Sequence, residues 1–317
     1  MNLIGGDEAE IGRSPRVLVL LAAYNGAQWI EEQVVSVLDQ RGVDVRVRVS
    51  DDQSNDRTIE LLMHLAELHG NLDVRVRSSS SGSAGANFRS LLADADLSQA
   101  EFVAFCDQDD IWDPDHLARG CAALRTDGTS GYSCAVRTFG NGRTNILAQS
   151  NRARELDFLF EGAGQGCTFV LTQALAARVQ QLCIEHPQKV SALHYHDWLV
   201  YLVARTAGDR WSFDAHPSLN YRQHGANEIG ARGGFAAITN RLALIRRGWF
   251  LQQVHAALAL ATALTPASEP LVRFVRVFSA APSLSRRVAL AVQMSRVARR
   301  RRSDSAVLCI AALAGWL

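Results

Sequence analysis

The sequence predicts an α/β protein: a mainly parallel mixed sheet flanked by helices, followed by a helical C-terminal extension. Three observations carry that expectation. Apolar runs of strand length alternate with segments whose apolar residues recur at helical spacing, as in βαβ units with right-handed crossovers. The first run, RVLVLLA over residues 16–22, is apolar without alternation, as a strand buried on both faces should be. The first, second and fourth strands each end in a polar cluster.

The elements follow in order. After the first strand, Ala23-Tyr24-Asn25-Gly26 is a turn signal, and Ile30, Val34, Val37 and Leu38 share one helical face. Val43, Val45, Val47 and Val49 alternate with polar residues, giving a second strand that runs into Ser50-Asp51-Asp52-Gln53-Ser54-Asn55-Asp56. A helix carries Ile59, Leu62, Leu65 and Ala66, and a third strand spans 72–77. A flexible Ser/Gly loop over 78–85, lacking the G-K-[ST] ending of a phosphate-cradling loop, leads to a helix over 87–93. The fourth strand, 102–106, ends at Asp107-Gln108-Asp109-Asp110. In such sheets ligands bind outside the carboxyl ends of the strands, so the three clusters should face one crevice.

Beyond it, Asp113-Pro114 reads as a helix start with Asp113 as N-cap. Strands are expected near 132–139 and 167–172, a helix opening near Asp197, and two strands over 211–215 and 219–222. Helical periodicity dominates from Ile238.

Composition sets the outer limits. With 317 residues, 48% of them hydrophobic and 21% charged, the chain can bury a sizeable core and is neither disordered nor collagen-like. A net charge of +1 gives no reason to expect a nucleic-acid partner. That sum hides an asymmetry: residues 241–317 hold twelve arginines against Glu269 and Asp304, and the rest is acidic. Six scattered cysteines without a C-x-x-C pair read as buried thiols in a reducing compartment. The polar start is no signal peptide, and no uninterrupted apolar run reaches the ~18 residues of a spanning helix.

Asp107, Asp109 and Asp110 crowd three carboxylates into four positions, which is unfavourable without a cation or donors to offset them. Hard oxygen ligands suit Mg²⁺ or Mn²⁺. A solvated acidic loop is the plainer reading.

Taken together, Ala22-Ala23-Tyr24-Asn25-Gly26, Ser50 to Thr58, Asp107 to Asp115, His196-Asp197-Trp198 and Tyr221-Arg222-Gln223-His224-Gly225 resemble the family 2 glycosyltransferases of GT-A fold. Within them they look closest to the rhamnosyltransferase-like branch. Order and spacing agree from about residue 16 to about residue 230. The resemblance implies that Ala22, Tyr24, Asn25, Asp52 and Asp107 bind the nucleotide. It implies that Asp109 is the main ligand of a Mg²⁺ or Mn²⁺ ion, with Asp110 and His224 beside it. Asp197 falls where the family keeps its general base. Gly166 and Arg222 would contact acceptor or phosphate. Plainer readings stay open: Tyr24 as a sheet-edge aromatic, Asp197 as a helix cap, His224 as a packing histidine, and Gly166 as a turn. His194 and His196 would be structural or would tune Asp197.

The implied organisation is a flexible N-terminus at 1–14, a GT-A domain at 15–235 and a basic helical region at 236–317. That last region, with Arg286-Arg287 and Arg299 to Arg302 beside apolar stretches, would meet a membrane surface or a second copy, or simply pack on the body. The implied activity is inverting transfer of a sugar, rhamnose on the branch resemblance, from a dTDP- or UDP-sugar to a glycan or lipid-linked acceptor. The location would be cytoplasmic, peripheral on the inner membrane face. Two rivals are a catalytically silent glycan-binding or scaffold protein and a D-x-D phosphatase. The phosphatase normally wants Thr or Val where Ile111 stands, and it leaves Tyr24 and Asp52 without a role.

Overall fold

The computed structural model describes residues 13–140, 144–224, 243, 245–265 and 268–317. The expected start of helical periodicity at Ile238, the last residue of the Tyr221–Gly225 motif and most of the expected N-terminus lie outside these residues. The strands are β1 (Arg16–Ala23), β2 (Asp44–Asp51), β3 (Leu72–Val76), β4 (Phe102–Asp107), β5 (Ile111–Trp112), β6 (Gly131–Phe139), β7 (Asn145–Leu147), β8 (Val170–Thr172) and β9 (Trp211–Arg222). They form one sheet in the order β3-β2-β1-β4-β8-β6-β9-β5, with β7 paired to β6. The β3-β2-β1-β4 half is parallel, while β8 joins β4 and β6 antiparallel. The chain thus has the mixed α/β sheet that its strand patterning predicts.

The helices that matter for the site are α1 (Ile30–Leu38), α2 (Thr58–Leu68), α3 (Ala84–Ala93), α4 (His116–Asp127), α5 (Gln173–Glu185), α6 (Pro187–Ser191) and α7 (His196–Thr206). Because side chains alternate across a strand, Val17, Val19 and Leu21 of β1 pack on the face covered by α1, α2 and α4. Leu20 and Ala22 pack on the other face, under α3, α5 and α7. Both faces are therefore dry, as the unbroken apolar run requires.

Three local expectations change. The segments 211–215 and 219–222 are one strand: the β6–β9 register shifts just before Pro217, leaving Ala215 and His216 without partners on β6, and pairing resumes with Pro217 opposite Ala135. Helix α4 starts at His116 behind Asp115; the Asp113 carboxylate is drawn away to Arg137 and does not cap it. Helix α3 begins at Ala84, three residues early, because the Ser83 hydroxyl accepts from Ala86 N at 3.2 Å.

The C-terminal helices α8 (Trp249–Leu264), α9 (Glu269–Phe278), α10 (Leu284–Val297) and α11 (Arg302–Ala314) share the core with the sheet domain. Phe250, Val254, Phe274, Met294 and Leu308 sit in the same apolar cluster as Phe160, Trp198 and Tyr201. Five of the six cysteines are buried, and all are free.

Candidate active site

The strand register brings the polar clusters together. Ala22 pairs with Asp107 of β4, and Ala23 pairs with Asp51 of β2, so the ends of β1, β2 and β4 are level. The two turns that follow β1 and β2 are locked to each other. Asn25 N donates to Ser54 Oγ at 2.8 Å, Asn55 N to Asn25 Oδ1 at 2.9 Å, and Gly26 N to Thr58 Oγ1 at 2.8 Å. Asn25 and Gln53 hold positive φ, of 48° and 64°, a strain typical of functional turns. Asn25 thus shapes the turn backbone.

Asp51 and Asp52 divide the labour. Asp51 is fully buried and accepts from Ser54 N and Oγ, a structural role. Asp52 turns towards the Ser/Gly loop: Ser81 N lies 2.6 Å from Oδ1, Ser81 Oγ 2.9 Å and Ser80 Oγ 3.1 Å from Oδ2. Arg77 Nε adds an ion pair at 3.2 Å. Tyr24 is 53% exposed at the crevice rim, and its backbone is clamped by Gln108 through bonds of 2.8 and 2.9 Å. An exposed aromatic on a fixed backbone is free to lie against a flat ring.

Strand β9 delivers the opposite side. Its antiparallel pairing with β5 sets Asn220 against Ile111, which carries Arg222 and His224 back over Asp110 and Asp109. His224 Nε2 lies 2.6 Å from Asp109 Oδ2, and its ring stacks on Trp29 at 4.2 Å. Arg222 donates from its backbone N to Asp110 Oδ1 at 3.0 Å and from Nε to Asp109 O at 2.8 Å. Its Nη2 reaches Glu32 at 2.6 Å. Trp29 and Glu32 carry no chemical pattern in the sequence; only the fold reveals them.

Asp110 is fully buried, and its Oδ2 lacks a hydrogen-bond acceptor or donor of good geometry among the described residues. Burial, then the Asp109 charge, push its carboxyl up to about 7. Ligand atoms of Asp107, Asp110 and Cys167 lie within 4.8 Å of one another. Burial keeps the Cys167 thiol protonated. A neutral thiol is a poor ligand for a hard cation, so within this cluster the Asp107 and Asp110 carboxylates are the donors that suit Mg²⁺ or Mn²⁺.

The 3-10 turn Gly166–Thr168 links this cluster to α7. A Cβ on Gly166 would lie 2.5 Å from His196 Nε2 and 3.2 Å from Asp197 Cβ, so the helix start docks on bare backbone. Asp197 stands in the first turn of α7, and its Oδ1 accepts from Trp198 N at 2.6 Å. The N-cap position belongs to Tyr195, whose side chain makes no capping bond, so Asp197 is not the cap of α7 and its Oδ1 bond is to the next residue's N–H. The His196 ring stacks on Phe88 at 4.0 Å and meets the edge of Phe105. Burial presses its pKa down to about 3, so it stays neutral and structural.

This arrangement defines a class: a crevice at the carboxyl ends of a mixed sheet, in a GT-A glycosyltransferase fold. Solved structures agree. Staphylococcus aureus TarS 1-349 in complex with UDP superposes with a TM-score of 0.55 at 15% identity, over 95% of this chain and 91% of that one. The mannosyltransferase PcManGT from Pyrobaculum calidifontis, in complex with GDP-Man and Mn2+, gives 0.51 at 19% identity over 95% and 88%. Residues 18–180 match the model for Glycosyl transferase family 2. The dTDP-rhamnosyl transferase RfbG of Shigella flexneri is 33% identical over 236 residues, 74% of this chain and 82% of that protein. The chain belongs to the family 2 glycosyltransferases, and it is an enzyme of nucleotide-sugar transfer.

Proposed function

We propose that the protein transfers rhamnose from dTDP-rhamnose, with inversion, to a hydroxyl of a glycan or lipid-linked acceptor in bacterial surface-polysaccharide synthesis. One observation supports the catalytic half of this reading above the others. The segment 166–167 touches both sides of the reaction, Gly166 against Asp197 and Cys167 against Asp107 and Asp110. The likeness to RfbG supports the donor.

Ala22, Tyr24, Asn25, Asp52 and Asp107 would bind the nucleotide, with Tyr24 against the base and Asp52 accepting from it. Asp109, Asp110 and His224 would hold Mg²⁺ or Mn²⁺. When bound, the ion supplies neutralising charge for the departing diphosphate. Arg222, already fixed by Asp109 and Glu32, would add a guanidinium contact to phosphate. Asp197 would take the proton of the acceptor hydroxyl as its oxygen attacks the anomeric carbon, and Gly166, on which the start of α7 docks, would contact the acceptor beside it. The carbon–oxygen bond to the diphosphate breaks on the opposite face, so configuration inverts. The enzyme would act in the cytoplasm at the inner membrane face.

Replacing Asp197 by Asn tests the assignment. Loss of a general base lowers kcat by roughly 10²–10⁴-fold while donor affinity holds. Near-native turnover in Asp197→Asn, or product of retained configuration by NMR, overturns the mechanism.

A further inference from the structure

The C-terminal arginines face two ways. Arg299 Nη2 donates to Phe160 O at 2.9 Å, Arg300 Nη2 to Gly162 O at 2.7 Å, and Arg301 to Ala148 O. Those three stitch the α10–α11 turn to the body. Arg296, closing α10, and Arg302, opening α11, are exposed on the outside of the same turn, without a carboxylate partner among the described residues.

The two helices lie antiparallel: Cys309 Sγ donates to Ala291 O at 3.2 Å, and Arg286 Nη1 to Leu317 O at 3.0 Å. Beside the arginines the outer face is apolar. Leu284, Val288 and Val292 repeat every fourth residue along α10 and are 75%, 46% and 45% exposed. Ile310 and Leu313 on α11 are 58% and 48% exposed. Between this hairpin, α9 and the 152–156 segment lies a cleft of about 1140 Å³, with Val292 and Ile310 on its wall. Five arginines line it against two glutamates. Arg273 is paired with Glu269, and Arg154 is taken by the carbonyls of Ser295 and Arg296.

We propose that the outer face of the α10–α11 hairpin docks on an anionic phospholipid bilayer, its apolar stripe entering the interface and Arg296 and Arg302 meeting lipid phosphate. The juxtaposition of an apolar stripe with unpaired guanidinium groups selects this occupant. A two-fold contact with a second copy would set the same arginine-rich patch against itself, with too little acid to answer it. The contact is peripheral: among the described residues no helix is long and apolar enough to cross a membrane. Arg300 holds Gly162, and a Cβ on Gly162 would lie 3.3 Å from the Trp198 backbone, next to Asp197. The hairpin is thus tied to the wall that carries the proposed base, which suits the lipid-linked acceptor of the proposed reaction. The docking surface itself does not depend on that reading.

The test uses the full chain and vesicle co-sedimentation, a readout independent of sugar transfer. Binding is expected to vesicles of phosphatidylcholine mixed with phosphatidylglycerol, not to phosphatidylcholine alone, and should weaken with salt. Arg296→Glu with Arg302→Glu should weaken it about 30-fold or more. Val292→Ser with Ile310→Ser should weaken it while leaving thermal melting unchanged, which keeps the test open if the charge reversal unfolds the hairpin. Failure of the wild-type chain to bind the anionic vesicles overturns the proposal. So does unaltered binding by folded variants, or a solution dimer that Val292→Ser with Ile310→Ser makes monomeric, which would give the face to a second copy.

Discussion

The two walls of the crevice are held by different means. The wall formed by the β1 and β2 turns is held mainly by short-range hydrogen bonds between neighbouring loops, Asn25 to Ser54 and Asn55, Gly26 to Thr58, with the carboxylates of Asp51 and Asp52 at its base. The wall that carries Asp197 is held by guanidinium groups reaching across the chain. Arg205 Nη1 bonds the buried Asp157 at 2.7 Å, Tyr201 OH adds 3.0 Å to the same carboxylate, and Arg300 enters from the C-terminal helices at 3% exposure. A neutral bond contributes modestly and is replaceable, whereas removing one partner from a buried charge network leaves the others uncompensated. The first wall should tolerate change, and the second should not.

Asp109 is where the walls meet, since it follows β4 and touches His224 from beyond β9. Asp109→Asn should give the largest effect, a fall in kcat of roughly 10³-fold, as for removal of one strong electrostatic contact to developing charge. Steady-state turnover at saturating donor and metal checks it; a loss below tenfold would mean that the carboxylate serves only to hold His224.

The contrast itself is broken or upheld by a pair of substitutions. Arg300→Ala should destabilise the fold by about 3–5 kcal/mol, because it strips a buried cation from Asp157 and Glu161. Ser54→Ala in the other wall, which removes one hydroxyl donor from the Asp51 carboxylate but leaves the Ser54 N bond to it, should cost less, about 1.5–3 kcal/mol. Denaturant melts of both variants decide, and equal costs would erase the distinction.

The same contrast tracks what could be read from the sequence. The β1, β2 and β4 ends were legible because each polar cluster directly follows its strand, and parallel pairing aligns them without further information. The bonds of the other wall were not. A run of four arginines looks the same whether it points to solvent or to Phe160 O and Gly162 O, and only packing distinguishes the two. Trp29 and Glu32 sit on ordinary helical spacing near α1, so their contacts with His224 and Arg222 depend on where β9 ends. The strand break expected between Ala215 and Leu219 is instead a register shift that drops Ala215 and His216 from the pairing, which no local pattern announces.

Acid should loosen both faces of the sheet, since His116 is buried beside Trp112 on one face and His196 against Phe88 on the other. Burial presses both His116 and His196 down to about 3, so each is neutral in the fold. The unfolded chain takes up those protons near the ordinary value of about 6.5. Their contribution is therefore complete above that pH and is lost as pH falls towards 3, by about 1.4 kcal/mol per unit for each histidine. Melting temperature followed from neutral pH downwards should fall in this window, and His116→Asn should flatten the slope. A profile unaffected by the substitution would mean that His116 is not buried as a neutral ring.

The smallest effect concerns Asp52, on the tolerant wall. A carboxylate offers about four lone-pair positions. Ser81 N, Ser81 Oγ, Ser80 Oγ and Arg77 Nε already approach the two oxygens between 2.6 and 3.2 Å. A nucleobase N–H can bond Asp52 only if one of these donors gives way, and the hydroxyls cost least to displace because water can satisfy them. Ser81→Ala removes one competitor for Oδ2 while leaving the Ser81 N bond to Oδ1. One hydrogen bond contributes about 0.5–1.5 kcal/mol, so nucleoside-diphosphate affinity should rise by roughly two- to tenfold. Titration calorimetry with dTDP and UDP checks it. A weaker complex would show instead that the serine hydroxyl and the base share the carboxylate, and that this wall, too, depends on each of its bonds.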